Sequence, residues 1–221
     1  MRQYSIAGIV TAGVVWGFYQ YAAVRYAETG LPSLNKGMAM STLFLLGIVL
    51  LLGPLSRQFK LFNPFFKYRK ELGVLTFYTG LFHVYLSMFP LARRGPFGFY
   101  LSRPLSAYPG LIALILMFIL FLLSYSKVQP LPAKLWWKIQ NWGVRIAFLF
   151  VGFHMIVLKY SGWGNWFTTH TPKLPPLALL GTVFVGFVLL VRLSEFFGKS
   201  ARAITKFSFF ITTAFTIWLF I

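Results

Sequence analysis

Residues 67–92 read KYRKELGVLTFYTGLFHVYLSMFPLA. Three basic side chains, Lys67, Arg69 and Lys70, open the stretch. From Leu72 onward it stays apolar for about 20 positions, the length a membrane helix needs. His83 sits inside that run. A histidine in lipid costs free energy unless it faces protein, water or a metal. His83 is therefore either a ligand or a hydrogen-bonding partner of a neighbouring helix. The choice turns on whether another part of the chain supplies a matching group.

Composition places the whole chain in a membrane. Of 221 residues, 58% are hydrophobic and 20% aromatic, and only 11% are charged, against about 25% charged in an ordinary soluble domain. An all-α integral membrane protein follows. The net charge of +18 is spread between apolar runs rather than along a polar face. That excludes nucleic acid as the partner and points to anionic lipid headgroups, an acidic partner subunit, or both. With no cysteine there is no disulfide, thiolate-bound haem, iron–sulfur cluster or cysteine nucleophile. The remaining metal-ligand inventory is His83, His154, His170, six methionines and three acids, Glu28, Glu71 and Glu195. No carboxylate pair, Gly-rich phosphate loop or Ser/His/Asp set stands out, which argues against a self-contained hydrolase.

Outward from residues 67–92, apolar runs predict helices over 5–27, 38–55, 72–89, 106–124, 139–160, 177–197 and 203–221. This is a bundle of about seven transmembrane helices, six if the last does not span, in a single domain over residues 1–221. Gly13 and Gly17 form a GxxxG that predicts close packing of the first helix. Pro54 is expected to end the second. Residues 57–71 are expected to form a basic loop. Arg93, Arg94, Gly95 and Pro96 mark a further loop, and Val128-Gln-Pro-Leu-Pro a rigid connector. Trp136 and Trp137 fit an interfacial aromatic belt, and residues 161–176 a surface loop. With seven spans, thirteen of the 21 Lys and Arg residues fall on the N-terminal side, seven on the other, and Arg145 inside helix five. The positive-inside rule then puts the N-terminus in the cytoplasm.

His154 supplies the match. It lies in helix five, which runs parallel to helix three. At the rise of an α-helix, His83 is about 17 Å and His154 about 18–22 Å along its helix, both in the outer half of the membrane. Two histidines at matched depth satisfy bis-imidazole haem ligation across a bundle. Zinc would want further His, Cys or carboxylate ligands. Two unrelated polar contacts are the alternative. Arg145, nine residues before His154, falls on the opposite face of helix five and on the same face as Asn141. It either anchors an anionic headgroup, of quinone or flavin type, or snorkels to the interface. His170, beside Trp163 and Trp166, is either a partner or quinol contact or a solvated loop residue.

Residues from about 29 to 160 resemble the ferric reductase-like transmembrane family, closest to the haem-binding membrane subunit of the bacterial methionine sulfoxide reductase system. The resemblance rests on KGMAMSTLFLLGIVLLLGPLSRQ for the second helix and RKELGVLTFYTGLFHVYL for the third. RPLSAYPGLIALILMFILFLLSYS matches the fourth, and WWKIQNWGVRIAFLFVGFHMIVLKY the fifth. It implies that His83 and His154 hold one haem b near the outer face. The family commonly has a second histidine thirteen residues before the position of His154, and this chain has Asn141 there. Two-haem members such as NADPH oxidases use a further histidine near the start of helix three, where this chain is basic. The resemblance thus implies one haem, with residues 177–197 and 203–221 as additions to the core. The expected function is a haem b membrane electron-transfer subunit without its own substrate domain. It would pass electrons from quinol or a flavoprotein to an outer-side acceptor, in a bacterial inner membrane. The alternative is a non-catalytic accessory subunit of a larger membrane complex that has lost its haem.

Overall fold

The computed structural model describes residues 2–92, 98, 102–125 and 131–221. The loop residues Arg93, Arg94, Gly95 and Pro96, and connector residues Val128, Gln129 and Pro130, lie outside them. The described residues form an all-helical bundle with no strand. Its helices are α1 (Arg2–Tyr26), α2 (Leu31–Gln58), α3 (Arg69–Met88), α4 (Pro104–Leu123), α5 (Ala133–Lys159), a short α6 (Trp163–Thr169), α7 (Leu177–Ser194) and α8 (Ala201–Phe220). Segments of 3₁₀ helix at Lys60–Tyr68, Tyr160–Gly162 and Glu195–Ser200 join them.

α2 is the axis of the bundle. It packs against α1, α3, α5 and α7, and 72% of its apolar window is buried, against 17% for α1. Leu43, Leu46 and Leu50 of α2 meet Phe77 of α3, Met117 of α4, Phe148 of α5 and Val188 of α7 in one apolar cluster. Lipid is as apolar as this core, so close packing and interhelical hydrogen bonds hold the helices together rather than burial from water. Thr42 Oγ1 of α2 accordingly donates to Thr79 Oγ1 of α3 at 3.0 Å.

The close approach of α1 and α2 runs through Gly37, where a Cβ would stand 3.0 Å from Tyr19 N. The GxxxG of α1 does not carry it: Gly13 and Gly17 are exposed, with nothing within 4 Å of either. The expected packing role for that motif is overturned, because the glycines fall on the face of α1 turned away from α2. Gly47 is tighter still. A Cβ there would come 2.4 Å from Phe184 Cε1 and 3.1 Å from Val188 Cγ2, and Phe184 is pinned by Phe44 at 4.7 Å between centroids. Gly47→Val is expected to destabilise the bundle by about 1–3 kcal/mol through overpacking, read as a lowered thermal midpoint in detergent.

Several boundaries differ from expectation. α2 does not stop at Pro54 but continues to Gln58. A proline in a helix frees the carbonyl four residues earlier, here that of Leu50, and Arg192 Nη1 of α7 approaches Leu50 O at 3.5 Å. Residues 57–71 are not an open loop. Arg57 ends α2, Lys60–Tyr68 coil as 3₁₀, and Glu71 lies in the first turn of α3. In the 161–176 segment Trp163–Thr169 folds as α6. Its Trp166 is 2% exposed, plugged against Leu179 and Leu219 with Nε1 donating to Pro172 O at 2.9 Å.

Among the described residues, five stretches are long and apolar enough to cross a membrane: Arg2–Tyr26, Leu31–Gln58, Pro104–Leu123, Ala133–Thr169 and Leu177–Phe220. The last is a hairpin. Gly198, at φ 50°, breaks the helix, and the arms return on each other. Ser194 meets Thr205 at 3.0 Å, the Phe187 and Phe209 rings lie 6.3 Å apart, and Leu179 packs with Leu219. α3 falls outside the five because it begins with Arg69, Lys70 and Glu71 and carries His83, yet it packs against α2 inside the bundle.

Candidate functional site

His83 lies on α3 and points at the start of α2. Its Nδ1 is 2.7 Å from Asn35 Oδ1 and 3.3 Å from Asn35 O. Both partners are acceptors, so Nδ1 carries the proton and Nε2 keeps its lone pair. Asn35 is oriented in turn by Ser87, one turn beyond His83, to which its Nδ2 donates at 3.0 Å.

His154 on α5 is held the same way from another helix. Its Nδ1 donates to the backbone carbonyl of Ser106, near the start of α4, at 2.6 Å. The ring lies flat against α4 because residue 110 is glycine. A Cβ there would stand 2.8, 3.1 and 3.2 Å from the Nδ1, Cε1 and Cγ atoms of His154. Each imidazole thus has its tautomer fixed by an oxygen acceptor and leaves Nε2 without a proton, an arrangement that metal-bound histidines also use. The two rings lie within electrostatic reach of each other, and both are half-buried.

The structure brings His83 and His154 together at the same end of the bundle, where Asn35 and Ser106 each lie within the first turns of their helices. Cations gather there too. Lys159, at the end of α5, is within electrostatic reach of His154, Lys36 and Arg103. Glu28, the one acid beside them, pairs with Lys36. Among the described residues no three of His, Cys, Asp and Glu converge, so a zinc-type ligand set is not built. Two neutral imidazoles with free Nε2 atoms and a surplus of cations suit a planar metal complex bearing its own carboxylates.

Arg145 and Asn141 are not at this site. They lie about 14 and 20 Å further down α5 from His154 by helix rise. The Arg145 guanidinium sits over the Trp142 ring at 4.9 Å, and its Nε is buried without a partner. Asn141 is half-buried one turn below. His170 is separate as well. It caps α6 in the left-handed region at φ 48° and leans on Trp166 at 5.1 Å.

Sequence reasoning missed Asn35, Ser106, Gly110 and the Lys36–Arg103–Lys159 group. Ser106 acts through its main-chain oxygen and Gly110 through an absent side chain, so neither carries a residue-type signal. Asn35 was legible only as part of a turn. Asn35→Leu is expected to free the His83 ring and weaken metal-complex retention about 10–100-fold, measured by competition with a soluble apo-haem acceptor.

No curated protein matches the chain. The family described as ferric reductase like transmembrane component matches residues 36–151. The match begins one residue after Asn35, includes His83, Asn141 and Arg145, and ends three residues before His154. Covering more than half of the 221 residues, it identifies the chain as an integral membrane protein of the ferric reductase like transmembrane component family.

Proposed function

We propose that this chain is a haem b membrane electron-transfer subunit, with one haem held by His83 and His154. The observation that carries the proposal is the pair of imidazoles on α3 and α5, each fixed at Nδ1 by an acceptor on a different helix and each presenting Nε2. Bound there, haem supplies one-electron exchange between ferric and ferrous iron. The chain's own residues do the rest. Asn35 and Ser106 hold the proton of each ring at Nδ1 and fix its orientation. Gly110 sets how deep the His154 ring sits. Lys36, Arg103 and Lys159 offset the charge of haem carboxylates. The apolar core below excludes water and so favours the form with less charge.

The third-helix sequence RKELGVLTFYTGLFHVYL favours the branch formed by the haem-binding membrane subunit of the methionine sulfoxide reductase system. Asn141, at the position of a second histidine in other members, favours a single haem. The Lys and Arg distribution favours a cytoplasmic N-terminus in a bacterial inner membrane, with the haem toward the outer face. Electrons would enter from quinol or a flavoprotein and leave to a partner outside.

Vesicles carrying the protein test this directly. A quinol analogue or a reduced flavin added on one side is expected to reduce the haem, and a membrane-impermeant oxidant on the histidine side to reoxidise it. Reoxidation only from the opposite side would contradict the proposed direction.

A further inference from the structure

The strongest unexplained feature lies at the other end of the bundle. Four arginines converge there from four helices: Arg57 at the end of α2, Arg69 at the start of α3, Arg145 in α5 and Arg192 near the end of α7. Arg192 lies within electrostatic reach of the other three, and Arg69 of Arg57 and Arg145. Glu195 is the carboxylate bonded to them, bridging Arg57 and, at 2.9 Å, Arg192. Glu71, two residues from Arg69, is within reach of Tyr4 on α1 instead. Counting Glu71, which is buried in the first turn of α3 with Oε2 unpaired, four guanidiniums against two carboxylates still leave two positive charges in excess, and Arg145 Nε is buried with nothing to donate to. Arg192 is mostly buried and Arg57 mostly exposed, and like charges gathered at the edge of an apolar bundle repel unless an anion joins them.

The surroundings say what kind of anion. The two 3₁₀ connections on this face both carry exposed aromatic pairs, Phe65–Phe66 and Phe196–Phe197, with Phe196 82% exposed. Lysines accompany each pair. The two connections are tied together, with Arg202 over the Phe59 ring at 5.1 Å and Gln58 Nε2 donating to Ser194 Oγ at 3.3 Å. Exposed aromatics beside lysines are what an interfacial segment places between headgroups and acyl chains. A cleft of about 240 Å³ opens between Gly53, Ser56, Arg57, Asn63 and Phe66, so the Arg57 edge of the cluster is reachable from that interface.

We propose that Arg57, Arg69, Arg145 and Arg192 form a binding site for the phosphate of an anionic phospholipid in the leaflet that meets this face. Guanidinium forks match phosphate oxygens bidentately. The phenylalanines flank the acyl chains, and the lipid's negative charge offsets the excess on the cluster. The site is separate from the histidine pair and holds whether or not haem is bound.

The test is native mass spectrometry of the purified protein with phosphatidylglycerol or phosphatidylcholine added in detergent. Wild type is expected to retain phosphatidylglycerol preferentially, with one tightly held lipid. Arg69→Gln combined with Arg145→Gln is expected to lower its affinity about thirtyfold, while Arg69→Lys with Arg145→Lys, which keeps the charge but not the fork, is expected to lower it less and to retain a preference for phosphatidylglycerol. The wild-type comparison does not depend on any variant folding. Equal retention of the two lipids would overturn the proposal, as would a phosphatidylglycerol preference that survives the glutamine changes in a folded variant. Displacement of the lipid by inorganic phosphate would overturn the lipid assignment and give the site to a soluble phosphate compound.

Discussion

Alanine at His83 or at His154 is expected to abolish the haem spectrum while leaving the bundle folded. Each change removes one of the two nitrogens that would hold the iron, and Glu28, the acid beside the site, is already paired with Lys36. The fold survives because both rings are half-buried at the end of the bundle, away from the Leu43–Phe148 core. His83→Ala leaves Asn35 without its ring partner, and His154→Ala leaves the Ser106 carbonyl with one acceptor position free. The cost is about 1–3 kcal/mol where that group stays dry. The check is haem content beside a far-ultraviolet helical signal. A variant that keeps full haem identifies that histidine as a structural contact.

Gly110→Val is expected to have an effect nearly as large without touching a ligand. Even one added carbon would lie 2.8 Å from His154 Nδ1, closer than real Cβ atoms come. The ring cannot slide away while Nδ1–H stays bonded to Ser106 O at 2.6 Å. The branched side chain therefore breaks that bond and turns Nε2 out of line. Loss of the hydrogen bond that orients a ligating histidine costs about 10–100-fold in metal affinity, and Gly110→Ala is expected to fall at the mild end. The readout is haem retention together with a shift in its midpoint potential. A valine variant with unchanged potential and full haem would remove His154 from the ligand set.

Much of the bundle is legible in sequence because lipid demands it. Backbone groups must be satisfied within a helix, so apolar runs near 20 residues read as helices. Among the described residues, the long helices fall where those runs are. What was not legible follows from partners far along the chain. Pro54 reads as a stop, yet α2 continues to Gln58, and Arg192, 142 residues after Leu50, approaches the carbonyl that the proline frees. The GxxxG at Gly13 and Gly17 reads as a packing face, but the face that meets α1 is set by Gly37. His83 and His154 stand out by type and depth. Their supports do not, being a turn asparagine, a main-chain oxygen and a glycine. In sequence Arg145 reads only against Asn141 and His154 on its own helix, whereas its setting with Arg57, Arg69 and Arg192 depends on how four helices end together.

Haem held between His83 and His154 would show in the absorption of the purified protein. The most direct measurement is a dithionite-reduced minus oxidised absorption spectrum of the purified wild type, with pyridine haemochrome quantitation. A six-coordinate, low-spin b-type spectrum at one haem per chain is the predicted result. A folded, partner-bound preparation without haem would contradict it and make the chain an accessory subunit of a larger membrane complex.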